Sequence, residues 1–220
     1  MNNKNILAFD TALSNSVTLI LKDREETFSP KNGEILRASE IMVVIDDLLK
    51  KKNLKPDALS ALALNIGPGS FTGIRIGIAL TRGIARPFDI PVVPVNSFEA
   101  IVRLHILSGD TGFIITAGGG YLYYAEYKSD KNSISRGKLL HEKYIFEEIK
   151  NIEEIVMYGG RLEKPRERIS SEFKDIKISD EFSPLSPMIC EIADESLQGN
   201  KTSNFRDLQA YYIKPSYVDI

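Results

Sequence analysis

The chain has 220 residues, with 28 Lys and Arg against 30 Asp and Glu and a formal net charge of −2. This balance excludes a global field that would recruit nucleic acid or an anionic membrane, so an RNA contact must come from a local patch or a partner. The single cysteine excludes an internal disulfide, and no apolar run approaches the roughly 20 residues of a membrane helix, so we expect a soluble cytoplasmic protein without membrane contact.

The first hundred residues predict strands that alternate with helices. The predicted strands are 6–9, 17–21, a third that reaches 28, the run before Gly67, and 92–95. The predicted helices are 34–52, 71–86 and one that begins at Asn96 or Ser97. Asp10 stands where the first strand ends.

The second half repeats this layout. It has an apolar run at 113–115, a glycine turn at 118–120, a β-rich run at 121–127 and a further candidate strand at 133–140, which together suggest duplication. A strand ending at Gly159, a helix from Pro187 to before Gly199, and a strand or tail at 207–215 follow. We place the lobe boundary near 108–112, which gives an N-terminal lobe of residues 1–108 and a smaller, degenerate C-terminal lobe of residues 109–220.

The segment NIGPGSFTGIRIGIALTRGIA, residues 65–85, joins a glycine-rich loop to an apolar helix. Backbone amides of the loop could face an anion at a helix N-terminus, although the loop is neither a Walker loop nor a dinucleotide fingerprint. The residues assigned to a candidate anion or nucleotide site are Asp10, Thr11, Gly67, Gly69, Ser70 and Thr72. We favour the alternative, a tight strand-to-helix turn with Ser70 or Thr72 as N-cap and Asp10 capping backbone amides.

The helix that follows is apolar or small over roughly 220° of its circumference, about twice the stripe by which a surface helix docks on its own core. Burial of both faces inside this chain would explain that width, but we favour an interface with a second subunit. The residues assigned to this interface are Leu36, Val43, Gly73, Ile74, Gly77, Ile78, Thr81 and Ala85. Arg75, Arg82 and Arg86 form one basic stripe, which suits a solvated face, an RNA contact or an acidic partner.

The sequence offers few residues that could bind a metal or catalyse hydrolysis. His105, His141 and Cys190 are not paired at a close metal-ligand spacing, so we expect no metal site. A serine hydrolase would have to recruit one of these histidines from afar, and no G-x-S-x-G motif is present. A peptidase therefore has little support.

The motifs ILAFDTA, NIGPGSFTGIRIGIALTRGIA, YYAEY and YYIK resemble those of the TsaB family of bacterial tRNA threonylcarbamoyladenosine biosynthesis subunits, over nearly the whole chain. The resemblance implies an α/β, actin-like ATPase or sugar-kinase-like fold of two duplicated ribonuclease-H-like lobes. It implies a noncatalytic scaffold that pairs, through helices 34–52 and 71–86, with a TsaD-type subunit that transfers threonylcarbamoyl to the adenosine beside the tRNA anticodon.

The same resemblance implies further partners. These are a TsaE-type ATPase, a second copy of the chain when TsaD is absent, and tRNA through the complex. We expect no tightly bound cofactor, with ATP or ADP as the candidate nucleotide at the interface of the complex.

Three positions depart from the family pattern. Thr116 stands where the second lobe of an actin-like ATPase carries an acidic residue, so half of the acidic pair that would position a metal and a water is missing. Arg37 replaces a histidine, and Ala210 replaces a proline. An independent actin-like ATPase or small-molecule kinase, which would use Asp10 and the glycine loop, is the alternative function.

Overall fold

The computed structural model describes residues 4–21, 24–30, 36–105, 107, 109–160, 162–174, 176–181 and 183–213. The described residues fall into two compact units. Residues up to 100 and 183–211 form the first, and residues 101–182 with those from 212 onward form the second. This division corrects the predicted one into 1–108 and 109–220, because the chain returns to the first unit at Ser183.

The first unit is built on a five-stranded sheet. Its strands are β1 (Asn5–Asp10), β2 (Ser16–Leu21), β3 (Arg24–Phe28), β4 (Ala61–Asn65) and β5 (Val92–Val95), in the order β3-β2-β1-β4-β5. β1 pairs antiparallel with β2 and parallel with β4. Every residue of β4 is buried, as expected for a parallel strand that is covered on both faces.

Helices cover both faces of this sheet. They are α1 (Ala38–Lys51), α2 (Phe71–Ala85) and, after the second unit, α6 (Ser186–Gln198). A further helix, α3 (Ser97–Arg103), begins in the first unit and ends in the second. Helices α1 and α2 pack in one core cluster with Leu7 and Leu19. Helix α6 packs on β1, β2 and β4, and its Ser186 Oγ shares a hydrogen bond of 2.7 Å with Thr18 Oγ1, whose side chain leaves the sheet on the face opposite Leu19.

The second unit repeats the strand order of the first. Its strands are β6 (Thr111–Gly118), β7 (Tyr121–Lys128), β8 (Ser133–Ile134), β9 (Lys138–His141), β10 (Glu154–Tyr158) and β11 (Lys177–Glu181). They run in the order β11-β10-β6-β7-β8, with β9 also on β7, and β6 pairs antiparallel with β7 and parallel with β10. Two short helices complete the unit, α4 (Ile145–Glu148) and α5 (Glu163–Glu172).

Several predicted elements differ in extent. The strand predicted over 133–140 is two strands, both paired with β7. The helix predicted over 34–52 begins at Ala38, so Leu36 precedes it, and residues 34 and 35 lie outside the described residues. No strand forms within 207–213, although the Tyr211 amide donates to the Ile66 carbonyl over 2.8 Å. Within the described ranges, no helix has the length and apolarity that would let it cross a membrane.

Candidate functional site

Asp10 lies at the carboxyl end of β1 and is fully buried. Its carboxylate accepts hydrogen bonds from the backbone amides of Ala12 (2.9 Å), Leu13 (3.1 Å) and Ser14 (2.6 Å), from Ser14 Oγ (2.6 Å) and from Asn65 Nδ2 (3.0 Å). Because a carboxylate offers about four lone-pair sites, these five donors saturate it. The interpretation of Asp10 as the cap of its turn is confirmed by these contacts.

Three backbone amides of the glycine loop and the first turn of α2 form hydrogen bonds within the chain. Gly67 N donates to Asn65 Oδ1 over 2.9 Å, Ser70 N to the Ala12 carbonyl over 2.9 Å, and Gly73 N to Ser70 Oγ over 3.1 Å. Ser70 is therefore the N-cap of α2. These three amides are not available to an anion, which removes support from the phosphate-binding hypothesis and favours a structural turn.

The turn after β1 packs directly on α2. Thr11 is buried, and its Oγ1 donates to the Gly73 carbonyl over 2.7 Å. A Cβ on Gly73 would lie 1.9 Å from the Thr11 carbonyl oxygen, and one on Gly77 would lie 2.5 Å from Thr11 Oγ1. The space at Gly73 is therefore taken by the backbone of Thr11, and the space at Gly77 by its side chain.

Most of the predicted interface is already used inside the first unit. The residues of α2 that are buried are Gly73, Ile74, Gly77, Thr81 and Ala85. Ile78 and Leu36 are half-buried against the same core. The prediction that these residues meet another subunit is thus wrong for the buried five, because the wide apolar arc packs on β4, the Thr11 turn and α1 together.

Exposed apolar side chains do remain on α1 and α2. Val43 is 58% exposed, Phe71 54% and Met42 40%. A pocket of about 140 Å³ opens between Leu36 and Ile76. We call these three side chains and the pocket the α1–α2 surface. Of these three side chains, the sequence analysis assigned only Val43 to the interface.

The pocket in the α1–α2 surface is small. Thr11, Ser70 and Thr72 line it on one side, so three residues of the candidate nucleotide site do come together there. Its volume is well below the roughly 300–1,000 Å³ of typical small-molecule sites. It can accept a side chain of a partner but not a nucleotide.

The basic stripe on α2 divides into two parts. The Arg75 guanidinium stacks on the Phe71 ring at 3.6 Å from its centroid. Arg82 donates to the carbonyls of Phe205 (3.3 Å) and Leu208 (2.8 Å). Arg86 is exposed and lines a second pocket with Arg82. All three arginines are exposed, but the guanidinium groups of Arg75 and Arg82 are engaged in contacts within the chain.

In the second unit, Thr116 provides a hydroxyl at the position where an actin-like ATPase carries an acidic residue. Its Oγ1 donates to the Gly160 carbonyl over 2.9 Å. The following turn has positive φ at Gly118, Gly119 and Gly120, which only glycine adopts without strain. Among the described residues, no three His, Cys, Asp or Glu side chains converge as metal ligands.

Arg37 and Cys190 both make contacts within the first unit, whereas nothing in the structure explains the departure at Ala210. Arg37 precedes α1 and forms an ion pair of 2.7 Å with Glu40, while its backbone amide donates to the same carboxylate. Cys190 of α6 is buried against the sheet, and burial raises the pKa of its thiol well above the ordinary range. A thiol that stays protonated is a poor nucleophile, so Cys190 gives no support to a peptidase.

Comparison with known proteins identifies the family. The family model described as TsaD, tRNA N6-adenosine threonylcarbamoyltransferase, matches residues 25–219. The tRNA threonylcarbamoyladenosine biosynthesis protein TsaB of Haemophilus influenzae is 32% identical over 103 residues, which is 47% of this chain and 44% of that protein. TsaB of Escherichia coli is 30% identical over 136 residues, 60% of this chain and 59% of that protein. The matches thus span about half the length of these relatives.

Solved structures show the fold. A Pseudomonas aeruginosa protein described as similar to the peptidase YeaZ superposes with a TM-score of 0.77 at 18% identity, over 96% of this chain and 100% of that chain. A polyphosphate/ATP-glucomannokinase from Arthrobacter superposes with a TM-score of 0.50 at 12% identity, over 89% of this chain and 100% of that chain. The predicted actin-like, sugar-kinase-like fold is confirmed. Since the family model covers most of the sequence, this chain belongs to the TsaD family, and within that family it resembles the TsaB proteins.

Proposed function

We propose that this chain is a noncatalytic scaffold that pairs with a TsaD-type subunit and activates threonylcarbamoyl transfer to the adenosine next to the anticodon of tRNAs. The α1–α2 surface is the observation that carries this proposal. It leaves three large apolar side chains exposed on two helices that pack on each other. The sequence neighbours of Met42 and Phe71, which are Ile41, Ser70 and Thr72, line a pocket that fits a single partner side chain. Membership in the TsaD family supports the choice of partner.

Phe71 is the side chain on this surface that we expect to contribute most to binding. Aromatic residues are enriched among the few that dominate interface energies. The Arg75 guanidinium, 3.6 Å from the ring centroid, holds the Phe71 ring in one orientation. A ring that is fixed before association loses less conformational entropy when the partner covers it.

The chemistry of the two turns supports a role without catalysis. The carboxylate of Asp10 has all of its lone pairs occupied by donors of this chain, so a metal or an attacking water would have to displace one. Thr116 supplies a neutral hydroxyl in the second unit, and that hydroxyl is donated to Gly160. An independent ATPase or small-molecule kinase would need to break the hydrogen bonds of both Asp10 and Thr116.

The other proposed partners would bind the same surface or the assembled pair. A second copy of the chain would cover the same exposed side chains, so homodimer formation and pairing with the TsaD-type subunit should compete. A TsaE-type ATPase would join the assembled pair. We place any ATP or ADP at the interface of that complex, because the amides of Gly67, Ser70 and Gly73 already donate within the chain.

Two exposed phenylalanines at opposite ends of α2 allow a matched test. Phe71→Glu places a charge on the α1–α2 surface, whereas Phe88→Glu places it at a residue of similar exposure, 48%, beyond the end of α2. In titration calorimetry against the TsaD-type subunit from the same source, we expect Phe71→Glu to weaken binding at least tenfold, or about 1.4 kcal/mol. Phe88→Glu should bind like the unsubstituted chain.

The opposite results would reject this assignment. Equal binding by both folded variants would mean that the α1–α2 surface is not the interface. Turnover of ATP by the purified chain alone would favour the kinase or ATPase alternative, provided that Asp10→Ala abolished it in a chain that still folds.

A further inference from the structure

The C-terminal end of α2 and the segment after α6 border a second, open pocket. Its volume is about 420 Å³, and it is lined by Arg82, Arg86, Phe205 and Arg206. All four residues belong to the first unit. Three arginines from two separate segments therefore line one cavity, in a chain whose formal net charge is −2.

The segment that carries Arg206 is held in place on both sides. Ser203 exchanges two backbone hydrogen bonds with Val92, of 3.0 Å and 2.8 Å, and the Tyr211 amide donates to the Ile66 carbonyl. Between them, Arg82 donates to two backbone carbonyls, and Phe205 is buried in the core. The pocket is thus formed before a ligand arrives, which lowers the entropy lost on binding.

The arginines of this pocket have no carboxylate partner within the part of the chain that the structure describes. Among the residues described, no ion pair joins a carboxylate to Arg82, Arg86 or Arg206. The Arg206 guanidinium instead lies 4.6 Å from the centroid of the Phe205 ring. Like charges gathered without counter-charges raise the energy of the free chain, and a bound anion would relieve this repulsion.

A structural role explains only part of the cluster. The negative end of the α2 dipole stabilises cations in the last helical turn, which accounts for Arg82 and for Arg86 at the C-cap. Arg206 is not on that helix, and its position in the same pocket has no such explanation. Arg86 and Arg206 are also exposed, so their side chains can reach a ligand.

We propose that Arg82, Arg86 and Arg206 bind the phosphate backbone of RNA, and that this pocket is where the chain contacts its tRNA substrate. Guanidinium groups match phosphate oxygens with two parallel hydrogen bonds, and a chain of net negative charge needs a local basic site to approach RNA. The choice of RNA over another polyanion rests on the proposed function. Arg82 fixes the pocket, while Arg86 and Arg206 supply the outer contacts.

The test measures anisotropy of a labelled, unmodified tRNA transcript titrated with the full chain, alone and with the TsaD-type subunit, over a range of KCl. The variant is Arg86→Gln with Arg206→Gln, which leaves the Arg82 hydrogen bonds intact. The control, Lys131→Gln with Arg136→Gln, removes the same charge from two exposed residues of the second unit. Circular dichroism checks that both fold.

We expect the variant to lose about tenfold in affinity for RNA while the control keeps it. The slope of log K against log salt should fall by about 1.4–1.8, because each phosphate contact contributes roughly 0.7–0.9. Binding of the variant to the TsaD-type subunit should be unchanged. RNA binding that needs these arginines in the isolated chain would support this inference even if pairing with the TsaD-type subunit failed.

Three results would overturn the proposal. The first is equal affinity and equal salt slope for the variant and the unsubstituted chain. The second is equal loss in the variant and the control, which would indicate only an effect of total charge. The third is unchanged RNA binding with weaker binding to the TsaD-type subunit, which would assign the arginines to an acidic protein surface.

Discussion

At the scale of single residues, Asp10 shows how a position typical of catalysis can serve structure. Its carboxylate organises the β1–β2 turn by accepting from three successive backbone amides, and Asn65 links it to the glycine loop. The same Asn65 accepts from Gly67 N and Ser97 Oγ. One buried carboxylate and one amide therefore hold three loop segments of the first unit together.

Replacing this carboxylate should destabilise the fold. Asp10→Ala would leave buried amide donors without an acceptor, and we expect it to lower the free energy of unfolding by about 3 kcal/mol. Asp130→Ala, at an exposed residue, should change it by less than about 0.5 kcal/mol. Urea unfolding followed by circular dichroism measures both. An Asp10→Ala chain of full stability would show that the hydrogen bonds described are not structurally important.

At the scale of elements, the glycines of α2 differ in how closely the rest of the chain packs against them. Gly73 and Gly77 face the Thr11 turn at distances that exclude a side chain. Gly83 lies in the same helix with no atom within 4 Å of a Cβ placed there. One helix therefore contains glycines that packing requires and a glycine that packing does not require.

Alanine substitutions at these glycines should change the free energy of unfolding in opposite directions. Gly73→Ala would push a methyl group into the Thr11 carbonyl, so we expect it to lower the free energy of unfolding by about 1–3 kcal/mol. Gly83→Ala should raise it by up to about 1 kcal/mol, because alanine has the higher helix propensity. Thermal and urea unfolding of the two variants would check this. Equal effects of the two substitutions would contradict the close packing of α2 on the turn.

At the scale of the whole molecule, the two units share one strand order, but the first is completed by a segment from the end of the chain. Helix α6 packs on β1, β2 and β4, so one face of the first sheet is covered only after the chain has passed through the second unit. The chain is therefore not divided into two sequential lobes, and residues up to the predicted boundary should not fold alone.

This topology predicts the behaviour of fragments. A fragment of residues 1–105 should be unfolded, because one face of its sheet would be exposed. Joining it to residues 183–213 through a flexible linker should restore cooperative unfolding, whereas joining it to residues 109–140 should not. Far-UV circular dichroism and urea titration measure this. Cooperative unfolding of 1–105 by itself would reject the contribution of α6.

Sequence patterns determined most of the elements and the fold class. Alternation and helical spacing located β1, β2, β4, β5 and the helices α2 and α6 because these elements bury regular apolar faces. They missed α5, whose residues 163–172 are mostly polar, and β11, where the apolar pattern is weak. The family motifs, concentrated around β1 and α2, indicated the family that the comparisons confirm.

The tertiary structure alone decided what each face contacts. The width of the apolar arc on α2 gives the amount of surface to be buried, but it contains no information on whether α1, the Thr11 turn or a second subunit buries it. For the same reason, the sequence placed Arg82 and Arg86 on a stripe but could not bring Arg206, far along the chain, to the same pocket. Local periodicity is a property of one element, whereas a site depends on contacts between elements that are distant in sequence.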